Sequence, residues 1–376
     1  MIARPDEDRV RYPSSIDEVE NDSRFLRQAL SLAGRGAGRT SPNPMVGAVV
    51  VADGAVIGTG YHRSVGSPHA EVHALEQAGE AARGATLYVT LEPCAHHGRT
   101  PPCTAAVIAS GVRRVVAAIG DPDSRVNGRG FDALRAAGIQ VEDGVLAREA
   151  EQLNEGYLTR VRQGRPFVTL KLALTLDGRV GVPGRRYLVD QPALRFVHRL
   201  RARTDAVMVG VGTVLADDPE LTVRAVRGRD PLRVILDSDA RTPVASKVVR
   251  RRDPERTVIV AGEDADPGRV AALSATGVDV VRVPRGADGH VDAAAALRHL
   301  AGRGVNSVLS EGGPRVGTAL LRQALADRLL LIVTPLIGGT GPRGFGDLEP
   351  LQELRQLAVR RLGRDLAITA ELGRAS

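Results

Sequence analysis

SPHAEVHAL (residues 67–75) and VTLEPCAHHGRTPPC (residues 89–103) decide how the first half of this chain folds and what it can do. His69-Ala70-Glu71 follows a proline and opens a segment with helical periodicity that runs to Arg83. TLYVTLEP reads as a strand ending at Pro93-Cys94, and the residues from Thr100 to Ser110, with Cys103 near their start, read as the next helix. One histidine and two cysteines are enough to hold a zinc ion with its fourth position open to water. Zinc lowers the pKa of that water toward neutrality. Glu71, two residues from His69, is placed to take the water's proton and pass it to a leaving amine. His73, one turn after His69, reads as an ordinary helix histidine, because three ligands already suffice.

Working outward, the neighbouring segments supply a layered frame. MVGAVVVADGAVIGTG carries two apolar runs around Asp53-Gly54, a hairpin signature. RRVVAAIG reads as a strand and FDALRAAGIQV as a helix–strand pair, so the first half is a three-layer α/β unit. Residues 1–22 are charged and lack the apolar core of a secretory signal, and are expected to form a flexible tail. Ser23 to Gly36 then reads as an amphipathic helix capped by Asp22 or Ser23. Gln152 to Pro166 is polar and turn-rich, which places a domain boundary there. The expected division is 23–163 and 164–376. Beyond it, FVTLKLALTLDGRV, AVMVGVG, LRVILDS, TVIVAG, VDVVRV, VNSVLS and LLLIVTPLIGG read as strands, and PALRFVHRLRAR and PRVGTALLRQALA as helices, giving a second α/β domain.

Composition narrows the classes. No apolar run approaches the roughly 18 residues of a membrane span, and 43% hydrophobic with 25% charged residues fits a folded chain, expected in the cytoplasm. Only Lys171 and Lys247 are lysines, leaving 49 of the 51 basic residues as arginine, so a specific ammonium role for Lys171 carries more weight than usual. The net charge of +7 suits an anionic small molecule. It would also suit a nucleic acid, but five Phe, five Tyr and no Trp leave few stacking platforms.

H-x-E followed by P-C and a second cysteine is the arrangement of zinc nucleobase deaminases. Here eight residues, AHHGRTPP, separate the cysteines where the usual signature has two, a loop suited to a larger substrate. With TSPNPMVGAVVV and GDPDSRVNGRG added, the chain closely resembles the bifunctional RibD family of riboflavin biosynthesis, from about Ser23 almost to the C-terminus. That family joins a diaminohydroxyphosphoribosylaminopyrimidine deaminase to a 5-amino-6-(5-phosphoribosylamino)uracil reductase. The resemblance implies a cytidine-deaminase-like three-layer α/β/α domain followed by a dihydrofolate-reductase-like α/β domain. It implies Zn2+ and NADPH as cofactors, a small phosphorylated pyrimidine as partner with no nucleic acid or membrane, and a homo-oligomer. In the first domain it implies substrate contacts at Asn43, His62, His96, Arg99 and Asp121.

In the second domain, KLALTLDGR resembles the family's opening strand and gives Lys171 a catalytic role. VGVGTVLADDPELTVR matches the family nearly residue for residue. By that match Thr213 and Asp217 touch the nicotinamide nucleotide, while Arg201, Leu221 and Arg224, with Arg185 and Glu311, hold the substrate. Ala173, Tyr187, Ser238 and the run Gly313, Pro314, Arg315, Val316, Gly317, Thr318 and Ala319 complete the implied cofactor site. A glycine pair before a helix start also suits a phosphate on its own terms, though by itself it reads as helix capping. Three departures stand out. Arg99 occupies a position where the family usually has lysine, and Asp123 follows Asp121-Pro122 where the family often has asparagine. Arg185-Arg186-Tyr187-Leu188-Val189 replaces a Ser-x-Trp-Ile-Thr/Ser segment, which predicts reduced or redirected reductase turnover. The rival readings are a deaminase of a specialised pyrimidine-derived pathway with an altered reductase half, a nucleic-acid base deaminase, and a non-enzymatic binding protein.

Overall fold

The first hairpin follows the sequence closely. β1 (Gly47–Ala52) and β2 (Ala55–Tyr61) turn on Asp53 and Gly54, both at positive φ (49° and 75°), the twist-matched geometry of a two-residue turn. The structure, a computed structural model, describes residues 16–95, 101–181, 188–338, 341–349 and 351–373. It divides into two units between Asn154 and Glu155.

In the first unit the order continues from α1 (Ile16–Ala33) before the hairpin to α2 (Ala70–Ala78), β3 (Thr86–Val89), α3 (Cys103–Ser110), β4 (Arg114–Ala117), α4 (Arg129–Ala136), β5 (Gln140–Asp143) and α5 (Ala147–Leu153). The sheet runs β2-β1-β3-β4-β5, antiparallel across β2-β1-β3 and parallel across β3-β4-β5. Alternate residues Ala48, Val50, Leu87, Val89, Val115 and Ala117 pack against Ala70, Ala74, Val107 and Leu134 of α2, α3 and α4. On the other face Tyr88 meets Phe25 of α1, ring centroids 5.1 Å apart. α2 lies directly on β2 because Gly58 and Gly60 leave room. A Cβ at either would stand 2.1 Å from a carbonyl oxygen of α2, that of Ala74 or Ala70.

Two expectations need correction. The segment through residue 22 is not wholly a tail, since α1 begins at Ile16. Asp22 is buried, accepting the Tyr88 hydroxyl (2.8 Å) and both Arg114 guanidinium nitrogens (2.9 and 2.7 Å). The polar stretch read as a boundary is helical. α5 and α6 (Glu155–Gln163) run through it, and the units divide before α6 rather than after Gln163. Its polar residues are taken up by both units: Asn154 bonds the Met45 backbone in the first, and in the second Glu155 pairs with both terminal nitrogens of Arg328 at 2.6 Å.

The second unit proceeds through β6 (Phe167–Thr175), α7 (Gln191–Arg203), β7 (Ala206–Gly210), α8 (Val211–Asp217), β8 (Leu232–Leu236), β9 (Thr257–Gly262), α9 (Pro267–Ser274) and β10 (Asp279–Val283). It ends with α10 (Ala293–Gly302), β11 (Ser307–Ser310), α11 (Pro314–Arg322), β12 (Arg328–Thr334), β13 (Leu354–Leu362) and β14 (Asp365–Leu372). The sheet order is β10-β9-β8-β7-β11-β6-β12-β14-β13. It is parallel as far as β12, then antiparallel through the closing hairpin, which the sequence reading did not anticipate. Val168, Leu170, Met208, Val234 and Val258 pack under α10 and α11, and Val207, Val209, Ile235 and Ile259 pack with Val211, Val214 and Leu273 on the opposite face. Among the described residues no helix is long and apolar enough to cross a membrane.

Candidate active sites

Each member of the first site sits at an element end. His69 caps α2 in extended conformation, Cys103 is the first residue of α3, and Cys94 follows β3. Their ligand atoms all lie within 4.8 Å of one another. His69 Nδ1 stands 3.0 Å from Cys103 Sγ and 3.6 Å from Cys94 Sγ. Neighbouring ligands on a tetrahedral zinc, with bonds of about 2.0–2.3 Å, are about 3.5 Å apart, so the donor set fits the ion in kind and spacing. His73 lies outside the group and faces Glu76 at 3.9 Å, as a helix histidine should. The Cys94 thiol is pulled down to about 4 by the Cys103 side chain, with smaller help from His69 and the Cys103 N–H. That favours the thiolate which a metal requires.

Glu71 lies in the first turn of α2, 3% exposed, and among the described residues its Oε2 has no hydrogen-bond partner. Burial pushes its carboxyl up. A buried, unpaired carboxylate oxygen beside three metal-ligand atoms is costly unless something occupies the space between them. His62 is buried and turned edge-on to His69, with ring centroids 5.3 Å apart, and burial drives its pKa down. Asn43 Nδ2 stands 3.3 Å from His62 Nε2, so these two expected contacts meet beside the metal group. Asp121 is buried at the head of the β4–α4 loop, and its carboxylate accepts the Asp123 N–H at 2.9 Å. Asp123 in turn binds the Arg125 side chain (Nε–Oδ1 2.9 Å), which accounts for an acid at this position. His96 and Arg99 lie outside the described residues.

Strand register builds the second site. Ser310 pairs with Leu170, so Glu311 and Lys171 follow side by side at the next step, where Lys171 Nζ stands 3.7 Å from Glu311 Oε2. Along β6, Val168, Leu170 and Leu172 turn into the core while Lys171 and Ala173 share the more open face. Arg201 of α7 grips Glu311 with Nε (2.6 Å) and Nη2 (3.0 Å), and donates Nη1 to the Thr222 carbonyl (2.9 Å). Although burial works against it, Arg201 and Lys171 hold the Glu311 carboxyl down at about 2. Burial lowers Lys171. Arg224 reaches Thr222 Oγ1 (3.2 Å), and its N–H donates to Nδ1 of His198 (3.0 Å), a buried ring absent from the sequence reading. Burial, then Arg201 and Arg224, drive His198 down to about 4, so it is neutral. Leu221 is buried at φ 52°, a left-handed conformation that a branched side chain tolerates only when its surroundings impose it.

The expected cofactor residues separate by position. Thr213 and Asp217 lie on α8 after β7, and Gly313 caps α11 in extended conformation with Pro314 opening the helix and Arg315 exposed. Gly312 and Gly210 both approach Val316, where a Cβ would fall 2.7 and 2.9 Å from its side chain. Gly317 instead packs against Leu170 and Leu172, and Thr318 accepts the Gly346 N–H (2.9 Å), so these two serve the core side of α11. Ser238 follows β8, and its hydroxyl accepts the Val291 N–H (2.9 Å). Arg185 and Tyr187 lie outside the described residues.

Comparison with known proteins gives each half a family. The family model for the cytidine and deoxycytidylate deaminase zinc-binding region matches residues 19–119, and that for the RibD C-terminal domain matches residues 166–368. The chain is thus a two-part enzyme, a zinc-dependent deaminase followed by an NADPH-dependent reductase. It is 42% identical to the riboflavin biosynthesis protein RibD of Aquifex aeolicus, over 93% of this chain and 98% of that one. Among solved structures, Acinetobacter baumannii RibD superposes with a TM-score of 0.86 at 36% identity, covering 95% and 100% of the two chains. A diaminohydroxyphosphoribosylaminopyrimidine deaminase/5-amino-6-(5-phosphoribosylamino)uracil reductase from Thermotoga maritima gives 0.82 at 36% identity, covering 94% and 99%. The chain belongs to the RibD family and is a bifunctional enzyme of riboflavin biosynthesis, and nothing in these findings favours the rival readings.

Proposed function

We propose that the first site deaminates 2,5-diamino-6-(5-phosphoribosylamino)pyrimidin-4-one and that the second reduces the product's ribosyl group to ribityl. His69, Cys94 and Cys103 would hold zinc, which when bound supplies an activated water as nucleophile toward the carbon bearing the 2-amino group. Glu71 Oε2 takes a proton and delivers it to the departing nitrogen, so that water enters and ammonia leaves. Neutral His62 and Asn43 fix the ring, and Asp121, with His96 and Arg99, completes the grip. The observation that carries this reading is the buried Glu71 carboxylate, which interacts with His69, Cys94 and Cys103 while its Oε2 has no hydrogen-bond partner among the described residues.

In the second site NADPH when bound supplies hydride to the opened ribosyl carbon. Lys171 holds a proton beside that carbon, Glu311 fixes Lys171 and Arg201, and Arg201, Arg224, Leu221 and Arg185 orient the phosphorylated sugar. Ala173, Tyr187, Thr213, Asp217, Ser238 and the first turn of α11 from Gly313 hold the nucleotide, while Gly317, Thr318 and Ala319 support that turn. We infer a cytoplasmic enzyme whose partner is this small phosphorylated pyrimidine, with neither nucleic acid nor membrane, and a homo-oligomer. Edge strand β13 supports the last point, with Leu354, Leu357 and Val359 37%, 59% and 57% exposed, an apolar row that an isolated edge would ordinarily avoid.

The test is turnover of the diaminopyrimidine phosphate with and without NADPH. Glu71→Gln should lower deamination by at least about 10²-fold with zinc content unchanged, and Cys103→Ser should lose most of the zinc. Near-normal turnover in the first variant, or full zinc occupancy in the second, would sink these assignments.

A further inference from the structure

Glu92 stands in the motif that supplies Cys94, yet its carboxylate faces away from the metal group. It is 4% exposed and surrounded by backbone donors. Oε2 accepts the N–H of Asp121 (3.1 Å) and Gly128 (3.0 Å), and Oε1 those of Gly130 (2.8 Å) and Phe131 (3.4 Å). The Glu92 main-chain N–H donates to the Ile119 carbonyl at 3.0 Å, so one residue brackets the whole run from the end of β4 to the first turn of α4. Gly128 caps α4 at φ 88°, and no side chain of its own segment caps that helix. The negative charge thus meets the free N–H groups at the helix start, where the macrodipole favours it. Gly130 permits the approach, since a Cβ there would fall 2.0 Å from the Pro93 carbonyl and 3.0 Å from Glu92 Oε1.

From this arrangement we infer that Glu92 is a positioning residue for deamination, fixing the Asp121–Gly130 loop against the turn that carries Cys94. The inference rests on the reading of Asp121 as a substrate contact. Glu92 touches neither substrate nor metal; it sets where Asp121 stands relative to them. Four N–H donors on one buried carboxylate leave no slack. A neutral amide can accept on one oxygen only and would turn an NH2 toward two further donors. Binding energy drawn from the loop would then fall, while the ligand triad and Glu71 stay intact. The signature is a rise in KM larger than the fall in kcat.

The experiment compares wild type, Glu92→Gln, Glu92→Asp and Asp121→Ala as full chains loaded with zinc, using the diaminopyrimidine phosphate. Glu92→Gln should raise KM by about tenfold or more and lower kcat by less than about threefold, with zinc stoichiometry unchanged. Hydrogen exchange should quicken in peptides covering residues 121–131 and nowhere else in the first unit. Should the Gln variant fail to fold, Glu92→Asp keeps the charge with a shorter reach, and must show the same split in milder form. Unchanged KM in a folded variant overturns the inference, and so does zinc loss with a parallel fall in kcat, which would make Glu92 a prop for the metal turn. An Asp121→Ala variant with normal KM would overturn the reading of Asp121 as a substrate contact, and with it the route by which Glu92 acts, whereas a raised KM in Asp121→Ala beside an unchanged one in Glu92→Gln would overturn the positioning role alone.

Discussion

Replacing Glu311 by glutamine tests whether the second site is an electrostatic clamp. The carboxylate is 10% exposed and sits between Arg201 at 2.6 Å and Lys171 at 3.7 Å. A carboxyl held at about 2 rather than the ordinary 4.5 contributes roughly 3 kcal/mol of stability once ionised. Because the folded-state pKa is depressed, that stability is fully present above about 4.5. It is lost as pH falls through about 2, so the whole of it is in force at pH 7. Glutamine keeps the shape and some hydrogen bonding, but leaves two cations facing one another with no anion. Arg201 retains the Thr222 carbonyl, whereas Lys171 keeps only the neighbour that lowers its pKa. The expected cost is about 2–3 kcal/mol, or about 4–12 °C in the melting of a unit of this size. Differential scanning calorimetry of the full chain should show the second unit's transition falling by that amount and the first unit's staying in place. The gap should be constant from pH 7 down to about 5. A loss under about 1 kcal/mol, or a gap already closing near pH 6, would refute the clamp, since the carboxyl would then titrate far above the range argued here.

Other outcomes follow from the same geometry. Asp22→Ala strips Tyr88 and one edge of Arg114 of their buried acceptor, and should destabilise the first unit by about 2–4 kcal/mol in urea melts, Glu142 preventing a larger loss; no measurable shift would restore the flexible-tail reading of residues 16–22. Lys171→Ala should lower NADPH consumption on the deaminated substrate by at least about 10²-fold and leave deamination untouched. If wild type itself binds NADPH but consumes none, the second domain is not a working reductase on that substrate.

How much of this was legible in the chain depends on how rare the relevant residues are. Two cysteines and a histidine, two of the three at helix starts, admit few arrangements, and the structure brings all three together. Asp53-Gly54 likewise has one favoured geometry, and adopts it. Asp22 and Glu92 were missed for a shared reason. Acids read as solvated unless their partners are visible, and those partners, Arg114 and the N–H groups of residues 121–131, lie far along the chain. The helices α5 and α6 looked like linker because their polar residues bind distant groups such as Arg328, which periodicity cannot show. β13 escaped because LRQLAVRRL mixes leucines with arginines and its side chains stay outside the core up to Leu362. In the run from Gly313 to Ala319, order alone could not separate the open first turn from Gly317 and Thr318, which face the sheet; only helix rotation does so.

The two buried glutamates show how one side chain is given opposite tasks. Burial pushes the Glu71 carboxyl up, and among the described residues its Oε2 has no hydrogen-bond partner. Glu311 is largely enclosed too, at 10% exposed, but two cations hold it at about 2, and a carboxyl so acidic is ionised at neutral pH. That suits it to the part of a fixed anion beside Arg201 and Lys171. Burial lowers the pKa of Lys171, the other cation on this carboxylate. The same clamp explains His198. Set beside Arg201 and Arg224 and pushed down to about 4, the ring can accept the Arg224 N–H at Nδ1 and hold that arginine's loop without adding a further positive charge to Lys171, Arg201 and Arg224.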